Sequence, residues 1–551
     1  MDSPQFRYLN KKELSYIYEG NSNNVTLSSL LTLSRPFKYP QIIQSIKFSL
    51  NRIQQYYPMT KSCISMKNDK WCFCEKSFII PSNSSSSSIP QIFPPKQISS
   101  IKQSDMLQNE IPFNWIKISS SNETILNTLE NLCAQEMTND FIVENNLCRF
   151  TLITSESSTN SQIIDATTEV GFVFCFLHTA FDGKNIFTIT HDFIKEFNKA
   201  LLNPQITTIF NVTSDSQKLK EGQVNNLILP KYQTFYSNLI FFKELIILFG
   251  WLIYMRPRNL PFSTSSSSSL QLQSEKFYQT EIKTITYFHT LTRQETSYLI
   301  QFCKQHKFSI TSLLSTCISE IISTKNGYNT VLGGLAVDLR RFLNISKKIN
   351  GAFNSSILLR HPKVENFLLL KDENFDKKLY MKYLVDRIKI TNNSIQNSTK
   401  SGFIFHNLKF LINEPIKNNN IIKEGEEIKD TSIIPLGYVL SNLGICNQNI
   451  FDKDSTENFI TDWNHVFLSS TAKSSRGSNI EVTTLTLDDK MYLSFCACSK
   501  FISDEDLRDF ANNMLDLIRF ICEYISEISE KTKRIYCYKS CLSCDEKLIQ
   551  Y

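Results

Sequence analysis

A histidine and an aspartate four residues apart are the side chains of this chain best spaced to do chemistry. They lie in Gly171-Phe-Val-Phe-Cys-Phe-Leu-His178-Thr-Ala-Phe-Asp182-Gly183. Residues 170–177 are apolar apart from Gly171, and such a run reads as a buried strand. His178 stands where that strand ends. Strand ends at the edge of a subdomain are common places for chemistry. An imidazole titrates near pH ~6.5, so His178 can take up a proton close to neutrality. Asp182 can hold the turn at this spacing, and Gly183 can adopt angles that other residues resist. Spacing alone also fits a packed or solvent-facing histidine.

Two further segments carry polar residues in suggestive order. Ala336-Val-Asp338-Leu-Arg340-Arg341-Phe-Leu is a strand-like run ending in Asp-x-Arg, and Gly351-Ala-Phe-Asn-Ser follows it. Val439-Leu-Ser441-Asn442-Leu443-Gly444 comes later. With His178-x-x-x-Asp182-Gly183 before them, these segments resemble the superfamily of chloramphenicol acetyltransferases, plant acyltransferases and peptide-synthetase condensation domains. Within it, the chain is most similar to the fungal alcohol O-acetyltransferase family. The tryptophan-rich stretch that some yeast members carry before the histidine is not recognisable here, which leaves the acceptor open.

The resemblance implies an α/β fold of two chloramphenicol-acetyltransferase-like subdomains with mixed sheets. It implies a tunnel between them, with His178 midway along it. It implies a salt bridge from Asp182 to Arg340, with Arg341 as the other possible partner. It also implies association with the endoplasmic reticulum or lipid droplets in some members.

The chemistry that follows is acyl transfer from acetyl-CoA, a co-substrate and not a resident cofactor, to an alcohol or an amine. His178 is the candidate general base. Asp182 and Arg340 would be structural, locking the loop that aims the imidazole. Gly183 would give clearance, and Ser441 and Asn442 would line the tunnel or donate to an oxyanion. A plain turn at Asn442-Leu443-Gly444 is the competing reading. Acetylation of a long-chain amine or amino alcohol, and a non-catalytic binding protein of the same fold, are the alternatives. A hydrolase finds little support: no Gly-x-Ser-x-Gly elbow is present, and Cys175 falls inside the apolar strand.

Those residues need elements to hold them. A helix is expected over 41–56, stopped by Pro58, with short strands near 63–66 and 70–74. A helix near 123–137 precedes the 170–177 strand, and another runs from about 185 to 202. Thr292-Arg-Gln-Glu295 has the form of a capping box. A helix near 311–323, a strand over 328–339, and strands near 440, 463–469, 481–487 and 491–498 follow. A helix over about 505–525 closes the fold. These divide the chain into 1–215, a crossover of 216–280, and 281–551. Serine-rich runs at 82–88 and 263–269 read as flexible insertions.

Residues 239–255 are the most apolar stretch, interrupted by Lys243-Glu244. A span needs about 20 apolar residues. A buried crossover helix and an interfacial helix edged by Trp251, Tyr254, Arg256 and Arg258 fit better.

Composition narrows the classes. The 551 residues are 41% hydrophobic and 20% charged, ordinary for a globular protein. The 40 Phe and 21 Tyr suit apolar cavities. The net charge of +6 comes without a dense basic tract, so nucleic acid is not an expected partner. A monomer is expected. The N-terminus shows no charged-then-apolar leader, so export is not expected and the 15 cysteines read as reduced thiols. Cys537, Cys541 and Cys544 have iron–sulfur-like spacing but no fourth ligand nearby. A disordered or packed tail is the preferred reading there, with no metal.

Overall fold

A computed structural model of the protein describes residues 6–9, 24–67, 70–75, 111–118, 124–141, 146–155, 166–205, 283–326, 331–343, 354–362, 376–400, 436–446, 458–470, 478–499 and 501–548. The first half runs β1 (Phe6–Tyr8), β2 (Asn24–Lys38), α1 (Tyr39–Tyr56), β3 (Ser62–Lys67), β4 (Lys70–Glu75), β5 (Phe113–Ile118), α2 (Ile125–Thr138), β6 (Cys148–Ser155), β7 (Ala166–Leu177) and α3 (Gly183–Leu202). The second half runs β8 (Thr284–Thr290), α4 (Arg293–His306), α5 (Ile310–Asn326), β9 (Val331–Asp338), the short α6 (Arg340–Leu343), β10 (Asn354–His361) and α7 (Lys377–Lys400). It continues through β11 (Leu436–Ile445), β12 (Ile460–Ser470), β13 (Ser478–Leu487), β14 (Lys490–Cys498) and α8 (Asp504–Leu548).

Two mixed sheets carry the fold. One has the order β12-β2-β7-β6-β5 and the other β10-β9-β11-β13-β14-β8; a small β1-β4-β3 sheet stands beside them. In the first, only β5 and β6 run parallel. In the second, β11 is parallel to both β9 and β13. β7 is the middle strand of its sheet and is covered on both faces, which is why it reads as a continuous apolar run and not an alternation. Gly171 belongs in it for a packing reason: a Cβ there would lie 2.6 Å from Ile125 Cγ2 of α2.

The phenylalanines fill this core. Phe150, Phe172, Phe174 and Phe193 stack, tilt or meet edge to face at 4.6–6.1 Å between ring centroids. So these rings are core material, not cavity lining. The capping box at Thr292 and Glu295 is present, with both reciprocal bonds made.

The sheets cut across the chain's two halves. β12 comes from the 281–551 span, yet it pairs antiparallel with β2 in the first sheet. The first core likewise takes Phe288, Leu485, Tyr492 and Cys496 from the second half. The second half therefore gives a strand to the first sheet, and the two halves share a core.

The tail also differs from expectation. α8 continues past 525 to Leu548, carrying Cys537, Cys541 and Cys544 in helical backbone; their side chains lie outside the described residues. Among the described residues, no cluster of His, Cys, Asp or Glu is arranged to hold a metal ion. Residues 239–255 and both serine-rich runs lie outside the described residues. Among those described, no helix is long and apolar enough to cross a membrane.

Candidate active site

The strand end at His178 is a tight turn, fixed from its own backbone. Leu177 O accepts from Ala180 N at 3.0 Å and from Phe181 N at 3.3 Å. The Phe181 ring is fully buried against Phe176, with centroids 5.0 Å apart. His178 itself is half-buried. Its Nδ1 lies 2.9 Å from the Phe181 carbonyl oxygen. A carbonyl can only accept, so in the neutral ring Nδ1 carries the proton and Nε2 carries the lone pair.

Asp182 is the N-cap of α3. Its Oδ1 accepts from Asn185 N at 3.1 Å, satisfying one of the helix's orphan donors. Its Oδ2 meets Arg340 Nη1 at 2.5 Å. Arg340 enters from the second half, just past the end of β9. Its backbone N–H donates to Asp338 Oδ1 at 3.0 Å, and its Nη1 lies 3.4 Å from the same oxygen. Arg340 Nη2 donates to Asn185 Oδ1 at 2.7 Å. Arg340 is thus a partner of Asp182 among the described residues; the Arg341 side chain lies outside them.

Gly183 faces two leucines. A Cβ on it would sit 2.9 Å from Leu468 Cδ2 and 3.2 Å from Leu443 Cδ2. Leu468 belongs to β12, which crosses to the first sheet, and Leu443 to β11. The turn after His178 therefore meets a strand of each sheet.

The Ser441–Gly444 segment is brought near but is partly committed elsewhere. Asn442 Nδ2 donates to Thr311 Oγ1 at 3.0 Å, and Asn442 Oδ1 accepts from Gly444 N at 2.8 Å. Gly444 sits at φ +77°, in the left-handed region that favours glycine. The segment lies inside β11, whose ladder with β13 shifts register between Asn442 and Ile445, so it is a bulged strand and not the plain turn expected. Ser441 is half-buried within the β11 ladder, opposite Ala336 and Thr483.

Cys175 does not join His178 as a nucleophile. Burial pushes its thiol well above the ordinary range, and its Sγ lies 3.7 Å from Arg149 Nη2. A neutral buried thiol is a poor nucleophile.

Asn185, Leu443 and Leu468 were not singled out from the sequence. Asn185 had one legible signal, its place three residues after an N-cap aspartate. Leu468 had none, because nothing in its segment shows that β12 crosses to the other sheet.

No family model matches the sequence, and no curated protein matches it. Solved structures do resemble it. The TRI3 trichothecene 15-O-acetyltransferase from Fusarium sporotrichioides has a TM-score of 0.58 at 12% identity, over 94% of this chain and 95% of that one. The first condensation domain of the CDA synthetase has 0.53 at 10% identity, over 95% and 97%. The cyclization-docking bidomain of EpoB from Sorangium cellulosum has 0.52 at 10% identity, over 95% and 87%. At such identities the likeness is one of fold: this chain has the two-half mixed α/β fold that condensation domains and this acetyltransferase have.

Proposed function

We propose that the protein is a coenzyme A-dependent acyltransferase of the fungal alcohol O-acetyltransferase type, moving an acetyl group from acetyl-CoA to an alcohol. The observation that carries this reading is the contact between His178 Nδ1 and the Phe181 carbonyl. It leaves Nε2 as the basic nitrogen of a ring held at the junction of the two halves.

The step balances with this chain's own groups. Nε2 takes the acceptor's hydroxyl proton as its oxygen attacks the thioester carbonyl. The tetrahedral oxyanion collapses, the ester forms, and coenzyme A leaves as a thiolate that regains the proton from the imidazolium. A general base of this kind contributes roughly 10²- to 10⁴-fold. Holding donor and acceptor together contributes further. No acyl-enzyme is required, because the site offers a base and no activated nucleophile. Gly183, with Leu443 and Leu468 beside it, would set clearance for the acceptor in a tunnel between the halves, and Ser441 would lie along it.

The test is His178→Ala. It should lower kcat for acetyl transfer by about 10²-fold or more while the melting temperature stays unchanged. Full activity in that variant would remove His178 from the mechanism.

A further inference from the structure

Arg340 is held by more than Asp182. Its guanidinium reaches a carboxylate oxygen of Asp182 with Nη1 and the amide oxygen of Asn185 with Nη2, at 2.5 and 2.7 Å. Asn185 is fully buried. Its own N–H donates to the other oxygen of Asp182. The three residues form a closed ring across the boundary between the halves. A guanidinium is a rigid planar fork, usually met by one carboxylate on both prongs. Here the prongs are divided between a charged and a neutral acceptor.

That division has a mechanical consequence. Contacts at Nη1 alone, to Asp182 and at 3.4 Å to Asp338, would let the fork pivot about that one prong. A second contact, from the first turn of α3, removes the pivot and fixes Asp182 relative to the helix. Asp182 shares a peptide unit with the Phe181 carbonyl, and that carbonyl holds His178 Nδ1. A tilt of Asp182 would therefore tilt the acceptor that sets the imidazole's tautomer and aim.

We propose that Asn185 is a positioning residue for His178, acting through Arg340 and Asp182; this rests on the reading of His178 as the base. If Asn185 merely satisfied a buried guanidinium, its loss would cost stability and leave the imidazole unchanged.

The experiment compares Asn185→Leu, which removes the acceptor at similar size, with Asn185→Asp, which keeps it. Two readouts are taken: steady-state acetyl transfer from acetyl-CoA, and ring-nitrogen NMR of protein labelled with ¹⁵N-histidine, with His178 assigned from His178→Gln. N185L should lower kcat by about tenfold or more with KM nearly unchanged, and should lose the Nδ1-protonated signature of His178. N185D should recover most of both. A lowered melting temperature in N185L with kcat and ring signals intact would overturn the proposal, as would N185D behaving like N185L. If N185L does not fold, Asn185→Ser, too short to reach the fork, takes its place with the same outcomes. If the wild type transfers no acetyl group, the functional reading fails, while the ring signals still decide the positioning claim.

Discussion

Asp182 gives one carboxylate oxygen to the helix it caps and the other to an arginine from the far half of the chain. Both partners of that ion pair are almost withdrawn from water, at 3% and 5% side-chain exposure. A pair in this environment adds little net stability when intact, but removing one partner leaves an uncompensated buried charge. Asp182→Asn keeps the cap acceptor and discards the charge; Arg340→Ala discards the fork. Each should cost about 3–5 kcal/mol, read by urea denaturation, and the double variant should cost less than the sum. Strict additivity would mean that the two side chains do not act on each other. His178, Asp182 and Arg340 could be picked out in sequence because their spacing repeats a known pattern. Asn185 could not, since an asparagine in a helix's first turn has many uses and only the folded chain puts a guanidinium against it.

Strands differ in how well their sequences announce them. β7 is a central strand whose second part, residues 170–177, is apolar apart from Gly171 and buried throughout, so burial and composition agree there. The N-terminal part of β2 is also buried, yet it contains Asn24, Thr26, Ser28 and Ser29, all fully enclosed; small polar residues read as loop until the sheet on either side is known. The second half hides a polar element of another kind. Ser315 of α5, His361 of β10 and Tyr438 of β11 are buried together, with His361 Nε2 2.6 Å from Tyr438 Oη and Ser315 Oγ bonded to the same hydroxyl. Burial keeps the Tyr438 hydroxyl protonated, able both to donate and to accept within this cluster. Burial first, and Arg387 second, push His361 down to about 3. An unfolded histidine titrates near ~6.5. Between these values the unfolded chain binds the extra proton, so stability falls as pH drops from about 6.5 toward 3. His361→Gln should flatten the stability–pH slope by about one proton, near 1.4 kcal/mol per pH unit, in denaturation curves from pH 4 to 6. An unchanged slope would show that His361 does not stay neutral in the fold.

The molecule as a whole is a pair of sheets tied together at several places. β12 leaves the second half to pair with β2. α2 meets β8, where Glu130 accepts from Phe288 N and pairs with Arg508 of α8 at 3.0 Å. Arg340 closes a third link at the site itself. Only part of the element order was readable: β2, β5, β6, β8, β10 and α7 were not expected from the sequence, and the ownership of β12 was not either, because a strand that crosses to the other sheet leaves no mark on local periodicity. These links hold His178 where both halves meet, which is what a reaction between two bound substrates requires. The direct test is to supply labelled acetyl-CoA with a panel of alcohols and amines, and to vary both substrates for each acceptor that reacts. The account predicts transfer to a hydroxyl acceptor, with double-reciprocal lines that intersect because both substrates are bound together. Parallel lines with an acetylated protein trapped by mass spectrometry, or no transfer to any acceptor, would contradict it.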